Sequence, residues 1–271
     1  MKKTIAILLA LVMTVSLLAG CSKGGGNDGE KTLTVALTAA PTHLDPHPQA
    51  STDSYRVVTQ IYDRLVELDA DMKLVPVLAE SWEVKDETTT VFHLRKGVKF
   101  HDGNEMKAED VKFSLERCIA SPGVNYNYLI ISEINIIDDY TVEFKTSEPC
   151  SVLLQRLTLD AASILSKAAV ESTDDFDSHP VGCGPFKFVS WDTTSGEVVL
   201  EAFDDYWEGR PAIDKLVFKT IPESINRTVA LETKEADIAY DLAATDFDSV
   251  EKNPDLKLEK AASTTVWYLG M

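Results

Sequence analysis

Cysteine is scarce in this chain, and the few that occur are far apart. Four cysteines are present among 271 residues, namely Cys21, Cys118, Cys150 and Cys183. Structural zinc sites take cysteine and histidine ligands at short spacings, and the sequence contains no CxxC pair or close His/Cys cluster. We therefore expect no metal centre. Cys118 falls on the apolar face of a predicted helix, which favours a buried free thiol.

Basic residues are few compared with acidic ones. The chain has 26 Lys and Arg against 44 Asp and Glu, a formal net charge of −18. A surface of this sign repels nucleic-acid phosphates and anionic lipid headgroups. The composition therefore excludes nucleic acid as an expected partner, and membrane attachment must come from something other than a basic face.

Fingerprints of nucleotide binding and catalysis are also missing. The sequence has no GxGxxG and no P-loop, so we do not expect it to hydrolyse ATP. No motif singles out a nucleophile with its base or a pair of catalytic carboxylates. Gly182-Cys183-Gly184 could suggest a nucleophilic cysteine, but a packed turn is the stronger interpretation. We predict neither enzymatic activity nor a cofactor.

The N-terminal apolar run is short. Ile5 to Leu18 falls below the roughly 20 residues that a membrane-spanning helix needs, and it follows Lys2 and Lys3. This pattern is typical of a secretory signal, although an uncleaved signal anchor is an alternative. Because Leu-Ala-Gly-Cys at 18–21 resembles a bacterial lipobox, we predict a signal peptide over 1–20 and lipidation of Cys21. A glycine-rich tether follows at 21–30.

The mature body alternates between strand and helix patterns. Period-two alternation predicts six half-buried strands: Thr32–Leu37, Thr89–Leu94, Tyr140–Lys145, Glu197–Phe203, Lys215–Thr220 and Leu256–Lys260. Helical spacing of apolar residues predicts three helices: around Val58–Leu65, Val111–Ile119 and Ile225–Leu231.

The segment from Ala79 to Arg117 is the most informative of the chain. It reads as strand, turn, strand, glycine turn and helix, with the turn at His101-Asp102-Gly103-Asn104. Together with later motifs in the same order, it resembles family 5 of the bacterial solute-binding proteins, the peptide- and nickel-type receptors of ABC importers. The later motifs are 136–144, 180–188, 206–211 and 230–239.

The sequence departs from that family's pattern in places. Lys107 stands where the family usually has a Ser or Thr helix cap, so we expect a weaker cap. Lys234 and Cys183 stand where Gly and Thr are common. None of these departures contradicts the resemblance, which covers nearly all of 31–271.

The resemblance implies an α/β fold, a type II (cluster C) periplasmic-binding-protein-like lobe of mixed sheet with an inserted α+β subdomain. We expect 31–65 and 159–271 to form a discontinuous, incomplete first lobe, and 66–158 to form the subdomain. Family members continue well beyond the point equivalent to Met271, so we expect a C-terminally truncated member that lacks the second lobe. Such a chain should expose an apolar face.

The resemblance also places candidate ligand-binding residues, each with a structural alternative. These are Ser51, Thr52, Asp53, Asn125, Tyr126, Tyr128, Tyr240 and Trp267. Ser51 or Thr52 could instead cap a helix, Asp53 could favour its start, and Trp267 could be core. Asp45, in the turn Leu44-Asp45-Pro46-His47, is interpreted as a turn cap. The five histidines lie mostly in turns, where we expect them to be solvated.

The function implied is capture of dipeptides or oligopeptides in a cleft between lobes, with delivery to a membrane permease and its ATPase. The protein would be anchored by lipid on the extracytoplasmic face of the membrane. Nickel complexes and oligosaccharides remain open as ligands. Peptide sensing or surface adhesion without transport remains open as a function.

Overall fold

The computed structural model describes residues 30–48 and 51–260. Cys21 and Trp267 lie outside the described residues, as does the predicted signal peptide. None of the helices within the described ranges has the length and apolar character needed to cross a membrane.

The described residues contain eleven strands and six α-helices in mixed order. The strands are β1 Thr32–Leu37, β2 Val66–Leu68, β3 Leu74–Pro76, β4 Ala79–Val84, β5 Thr89–Leu94, β6 Ile131–Asp138, β7 Thr141–Thr146, β8 Phe186–Asp192, β9 Glu197–Ala202, β10 Lys215–Thr220 and β11 Ile238–Ala239. The helices are α1 Thr52–Ile61, α2 Ala108–Ala120, α3 Leu153–Arg156, α4 Lys167–Glu171, α5 Ser224–Glu232 and α6 Phe247–Lys252.

A five-stranded mixed sheet has the order β11-β1-β10-β9-β8. Strand β1 runs parallel to both of its neighbours, β10 and β11, whereas β9 is antiparallel to β10 and β8. Both faces of β1 are covered: Val35 and Leu37 enter one apolar cluster, and Ala36 enters another. Burial on both faces accounts for the nearly continuous apolar character of this strand's second half.

A second, antiparallel sheet has the order β4-β5-β7-β6, and β2 pairs with β3 in a small ribbon. Helix α2 buries Val111, Leu115 and Cys118 in the same cluster as Phe92 and Phe144 of this sheet. The two phenylalanine rings lie 5.0 Å apart in a tilted arrangement, a favourable geometry for aromatic pairs. All strands of this sheet come from residues 79–146.

The turn Gly182-Cys183-Gly184 packs directly against the end of α1. The Gly184 amide donates to the Ile61 carbonyl at 2.9 Å, and a Cβ added to Gly182 would lie 2.1 Å from the same oxygen. Only glycine permits so close an approach of two backbone segments. Cys183 is fully buried, and burial raises the pKa of its thiol, so the packing interpretation of this cysteine is supported.

Most sequence-predicted elements are confirmed, but three expectations are wrong. The helix predicted around Val58–Leu65 ends at Ile61, because the backbone of Tyr62 is already extended. Residues 256–260 form no strand, because none of the described residues pairs with them. Helix α5 forms as predicted, yet its apolar positions Ile225 and Val229 are 58% and 46% exposed. The buried positions on this helix are Arg227, Thr228 and Ala230. The Arg227 guanidinium donates to four backbone carbonyls: those of Ile221, Pro222, Tyr240 and Asp241.

The start of α2 shows how the chain accommodates Lys107. A lysine side chain offers no acceptor for the helix amides, and it makes no capping bond. Instead, the Asp110 carboxylate accepts from the Lys107 amide at 3.0 Å and from the Lys167 amide at 3.1 Å. This is the reciprocal half of a capping box, and it also ties α2 to the start of α4.

Candidate ligand-binding edge of the five-stranded sheet

The carboxyl ends of the parallel strands converge on one edge of the five-stranded sheet. Thr38 and Ala39 follow β1, and Tyr240 and Asp241 follow its parallel neighbour β11. Helix α1 begins at the same edge. In open α/β sheets, ligands bind outside the carboxyl ends of the strands, so this edge is the candidate site.

Asp53 fixes the start of α1 to the end of β1. Its Oδ2 accepts from Thr38 Oγ1 at 2.7 Å and from the Ala39 amide at 3.1 Å. Its Oδ1 accepts from Arg56 Nη1 at 2.7 Å. A carboxylate in the first helical turn also benefits from the helix macrodipole. Asp53 is buried, and both oxygens of its carboxylate accept hydrogen bonds from within the protein.

Arg56 connects this carboxylate to the loop after β11. Its Nη2 donates to Asp241 Oδ2 at 2.7 Å, and its guanidinium carbon lies 4.2 Å from the centroid of the Tyr240 ring. Burial acts to lower the pKa of Arg56, but the hydrogen bonds to Asp241 and Asp53 outweigh it and raise the pKa. We call Asp53, Arg56, Tyr240 and Asp241 the Arg56 cluster.

The Arg56 cluster leaves an aromatic face open. The Tyr240 side chain is 40% exposed although Arg56 covers part of its ring. Ser51 is the N-cap residue of α1, but its side chain makes no capping hydrogen bond, contrary to that alternative. Thr52 is exposed. The structure thus brings Ser51, Thr52, Asp53 and Tyr240 to one edge.

A second group of candidates lies beside the same helix. Asn125–Asn127 forms a single turn of 3-10 helix, in which the Tyr126 side chain is 65% exposed. Tyr126 and Tyr128 line a cavity of about 110 Å³ together with Tyr55, which precedes Arg56 in α1. Asn125 is half-buried and does not line this cavity.

Tyr128 differs from its neighbour in being fully buried. Its hydroxyl has no hydrogen-bond partner within the described residues, and burial raises its pKa. Asp160, at the same cavity, is paired with Arg64. Burial raises the pKa of Asp160, although Arg64 opposes the shift.

Sequence reasoning missed a buried cluster between the segment after β1 and helix α2. Asp45 Oδ1 accepts from the His47 amide at 3.0 Å, as the turn-cap interpretation predicted. It also accepts from Arg117 Nη1 at 2.9 Å, and Arg117 donates to His47 Nδ1 at 2.6 Å. Asp45, His47 and Arg117 form what we call the Arg117 cluster. It links residues about 70 positions apart, which no local pattern predicts.

The solvated-histidine expectation is wrong for His47 and His101. Burial lowers the pKa of His47 to about 4, and both of its neighbours in the Arg117 cluster are charged. Burial also lowers the pKa of His101 to about 4. His101 Nε2 donates to the Gly184 carbonyl at 3.0 Å, and its ring packs edge-on against Phe203.

Asp63 is a further buried acid that the sequence did not single out. Its Oδ2 accepts from Trp207 Nε1 at 2.7 Å. Burial raises its pKa to about 7, against the hydrogen bond from Trp207. This hydrogen bond ties the 206–211 turn to the segment that follows α1. The Trp207 ring is also covered by Arg95, whose guanidinium carbon lies 4.4 Å from the ring centroid.

No group of three or more potential metal ligands occurs within residues 30–48 and 51–260. The three described cysteines are free thiols, with Cys118 and Cys183 buried and Cys150 half-buried.

Comparison with known proteins identifies the class. The Helicobacter pylori ABC transporter-associated periplasmic binding protein DppA, solved in complex with peptide STSA, superposes with a TM-score of 0.76 at 33% identity, covering 83% of this chain and 50% of that one. A nickel ABC transporter structure from Bacillus halodurans superposes with a TM-score of 0.75 at 33% identity, covering 83% and 46%. The fold is that of the type II periplasmic binding proteins.

Sequence relatives narrow the class to a family. Residues 73–271 match the family described as Bacterial extracellular solute-binding proteins, family 5 Middle. The glutathione-binding protein GsiB of Pectobacterium atrosepticum is 34% identical over 89% of this chain and 48% of its own length. The chain therefore belongs to family 5 of the bacterial extracellular solute-binding proteins, and it spans about half the length of the curated relatives it matches.

Proposed function

We propose that the protein captures short peptides outside the cytoplasm and delivers them to an ABC permease, with ATP hydrolysed by the partner ATPase. The observation that carries the proposal is the peptide-bound relative: DppA, solved with peptide STSA, is 33% identical over 83% of this chain. Glutathione binding by the GsiB relatives supports a ligand of the same kind.

The residues of the candidate edge would have different roles in ligand binding. Ser51 and Thr52, at the exposed start of α1, would approach the ligand main chain, while Tyr126 and Tyr240 would offer exposed rings to its side chains. Asp53 is bound by three internal donors. It would therefore act by holding Arg56 and the Tyr240 loop in place rather than by binding the ligand amine.

Asn125, Tyr128 and Trp267 complete the proposed set. The buried Tyr128 would support the Tyr126 loop from beneath, and its unpaired hydroxyl would gain a partner if ligand binding moved that loop. Asn125 would contact the ligand main chain, and Trp267 would form part of the pocket wall.

Membrane attachment is proposed to come from lipid on Cys21, which would place the receptor on the outer surface of a Gram-positive cell or on the periplasmic side. Growth with labelled palmitate should label the wild-type chain, while Cys21→Ser should be unlabelled and released from the membrane fraction. Labelling that survives the substitution would refute the anchor.

The ligand class is tested by tryptophan fluorescence of the full chain titrated with di- to pentapeptides, glutathione, nickel–histidine and oligosaccharides. We expect saturable changes with peptides and none with the nickel complex or the sugars. If no peptide changed the fluorescence, the proposed ligand class would be wrong. If only nickel–histidine or a sugar gave a saturable change, that compound would be the ligand class instead. Loss of peptide uptake on gene deletion would distinguish transport from sensing or adhesion.

A further inference from the structure

A second cavity lies away from the candidate edge, at the open end of the core beneath the four-stranded sheet. Its volume is about 350 Å³, within the range of small-molecule sites. The sheet contributes Thr90 and Thr146, and the segment before and within α3 contributes Cys150, Leu153 and Leu154. The cavity therefore opens between the sheet and α3.

The floor of the cavity combines apolar groups with two threonines. Thr90 lies two residues from Phe92 in β5, and Thr146 lies two residues from Phe144 in β7. Residues two apart in a strand share a face, so both threonines lie on the core-facing side of the sheet. The Thr146 hydroxyl donates to the Glu148 carbonyl at 2.8 Å. Thr90 is 6% exposed and lines the cavity.

The rim of the cavity is acidic. Asp86 and Glu87, in the turn between β4 and β5, line it, and none of its described lining residues is Lys, Arg or His. The Asp86 carboxylate accepts from the Thr88 amide at 2.8 Å and from its hydroxyl at 3.0 Å, and these bonds lower its pKa. Lys145 on the neighbouring strand is paired with Glu133 at 3.1 Å.

We propose that this cavity binds a small organic ammonium ion with an apolar body. The body would pack against Cys150, Leu153 and Leu154, and the ammonium group would face Asp86 and Glu87. The Thr90 hydroxyl supplies an acceptor and donor beside these apolar groups. The site is separate from the proposed peptide site, and either can exist without the other.

Cys150 makes the proposal measurable, because its free thiol is half-buried in the cavity wall while Cys118 and Cys183 are fully buried. The full-length protein is treated with iodoacetamide, and alkylation of Cys150 is followed by mass spectrometry of the tryptic peptide 146–156. The probes are 2-phenylethylammonium, neutral 2-phenylethanol and anionic phenylacetate at equal ionic strength.

We expect 2-phenylethylammonium to protect Cys150 saturably. Its half-protecting concentration should be roughly two- to fivefold lower than that of the alcohol, the ratio expected for exposed ion pairs, and phenylacetate should not protect. In the double variant Asp86→Asn, Glu87→Gln, the ammonium ion should protect no better than the alcohol. The amide oxygen introduced by Asp86→Asn can still accept from the Thr88 amide, so the turn should persist, and an unchanged thermal melt verifies this.

Two results would overturn the proposal. One is equal protection, or no saturable protection, by all three probes in the wild-type protein. The other is a preference for the ammonium ion that survives in the double variant, since the selectivity would then not come from these carboxylates.

Discussion

Two arginine–carboxylate clusters of this molecule have similar chemistry and different surroundings. In the Arg56 cluster, the guanidinium pairs with Asp53 and Asp241 below a Tyr240 ring that is 40% exposed. In the Arg117 cluster, the guanidinium pairs with Asp45 and contacts His47, both of which are buried. The first lies at the candidate ligand-binding edge of the sheet, and the second joins the β1 loop to helix α2. The contrast indicates that the Arg56 cluster holds an exposed aromatic surface in place, whereas the Arg117 cluster stabilises the packing of the β1 loop against helix α2.

The largest expected effect comes from Arg117→Ala. Removing this guanidinium leaves the Asp45 carboxylate buried without its partner, a change that typically costs about 3–5 kcal/mol. Urea unfolding at pH 7 should show this loss. If Arg117→Ala unfolded at the wild-type urea concentration, the Arg117 cluster would have no architectural role.

Asp63→Asn should produce the next largest effect, seen in the pH dependence of stability. The folded pKa of Asp63 is raised to about 7, so between pH 4 and 7 the folded state holds a proton that the unfolded state lacks. Its contribution to stability therefore falls as the pH rises through this window and is constant above it. Relative to wild type, Asp63→Asn should gain about 3 kcal/mol between pH 5 and 8. A parallel pH profile for the two proteins would contradict this.

His47→Gln should change the pH dependence in the opposite direction. The folded pKa of His47 is lowered to about 4, so between pH 4 and 6.5 the unfolded state holds the extra proton and stability rises with pH. Glutamine can still accept from Arg117 but does not titrate. The variant should lose about 3 kcal/mol less than wild type on acidification from pH 6.5 to 4, and urea melts across this range provide the measurement.

Arg56→Ala should have the smallest effect on stability. Its pair with Asp241 is solvated, with the Asp241 side chain 58% exposed, and such pairs contribute about 1 kcal/mol or less. The buried Asp53 carboxylate keeps its hydrogen bonds from Thr38 and the Ala39 amide when Arg56 is removed. The same urea melts compare it with Arg117→Ala. Equal losses of unfolding free energy in the two variants would contradict the different structural roles assigned to the Arg56 and Arg117 clusters.

The sequence predicts what is local. Alternation in Thr32–Leu37, Thr89–Leu94 and Lys215–Thr220 matches the strands residue for residue, because the two-residue period is present within each strand's own sequence. The same alternation failed at 256–260, where no described strand supplies a partner. Strand pairing is a property of two segments, and one segment alone does not reveal it.

Long-range polar contacts were not predictable in this way. The pairs Asp45–Arg117 and Asp63–Trp207 join residues 72 and 144 positions apart, and neither residue type signals its partner. Arg227 was overlooked for the same reason: its burial depends on carbonyls of two loops that only the fold brings together. Ile225 and Val229 then remain on the exposed side of α5.

The most direct test of the account is the affinity of the full chain for a tetrapeptide, measured by calorimetry for wild type, Tyr126→Ala, Tyr240→Ala and the control Leu129→Ala. Leu129 is as exposed as Tyr126 but lines neither candidate group. We predict saturable binding by wild type, a roughly two- to tenfold weakening in each tyrosine variant, and no change in the control. Absence of binding by wild type, or unchanged affinity in both tyrosine variants, would contradict it.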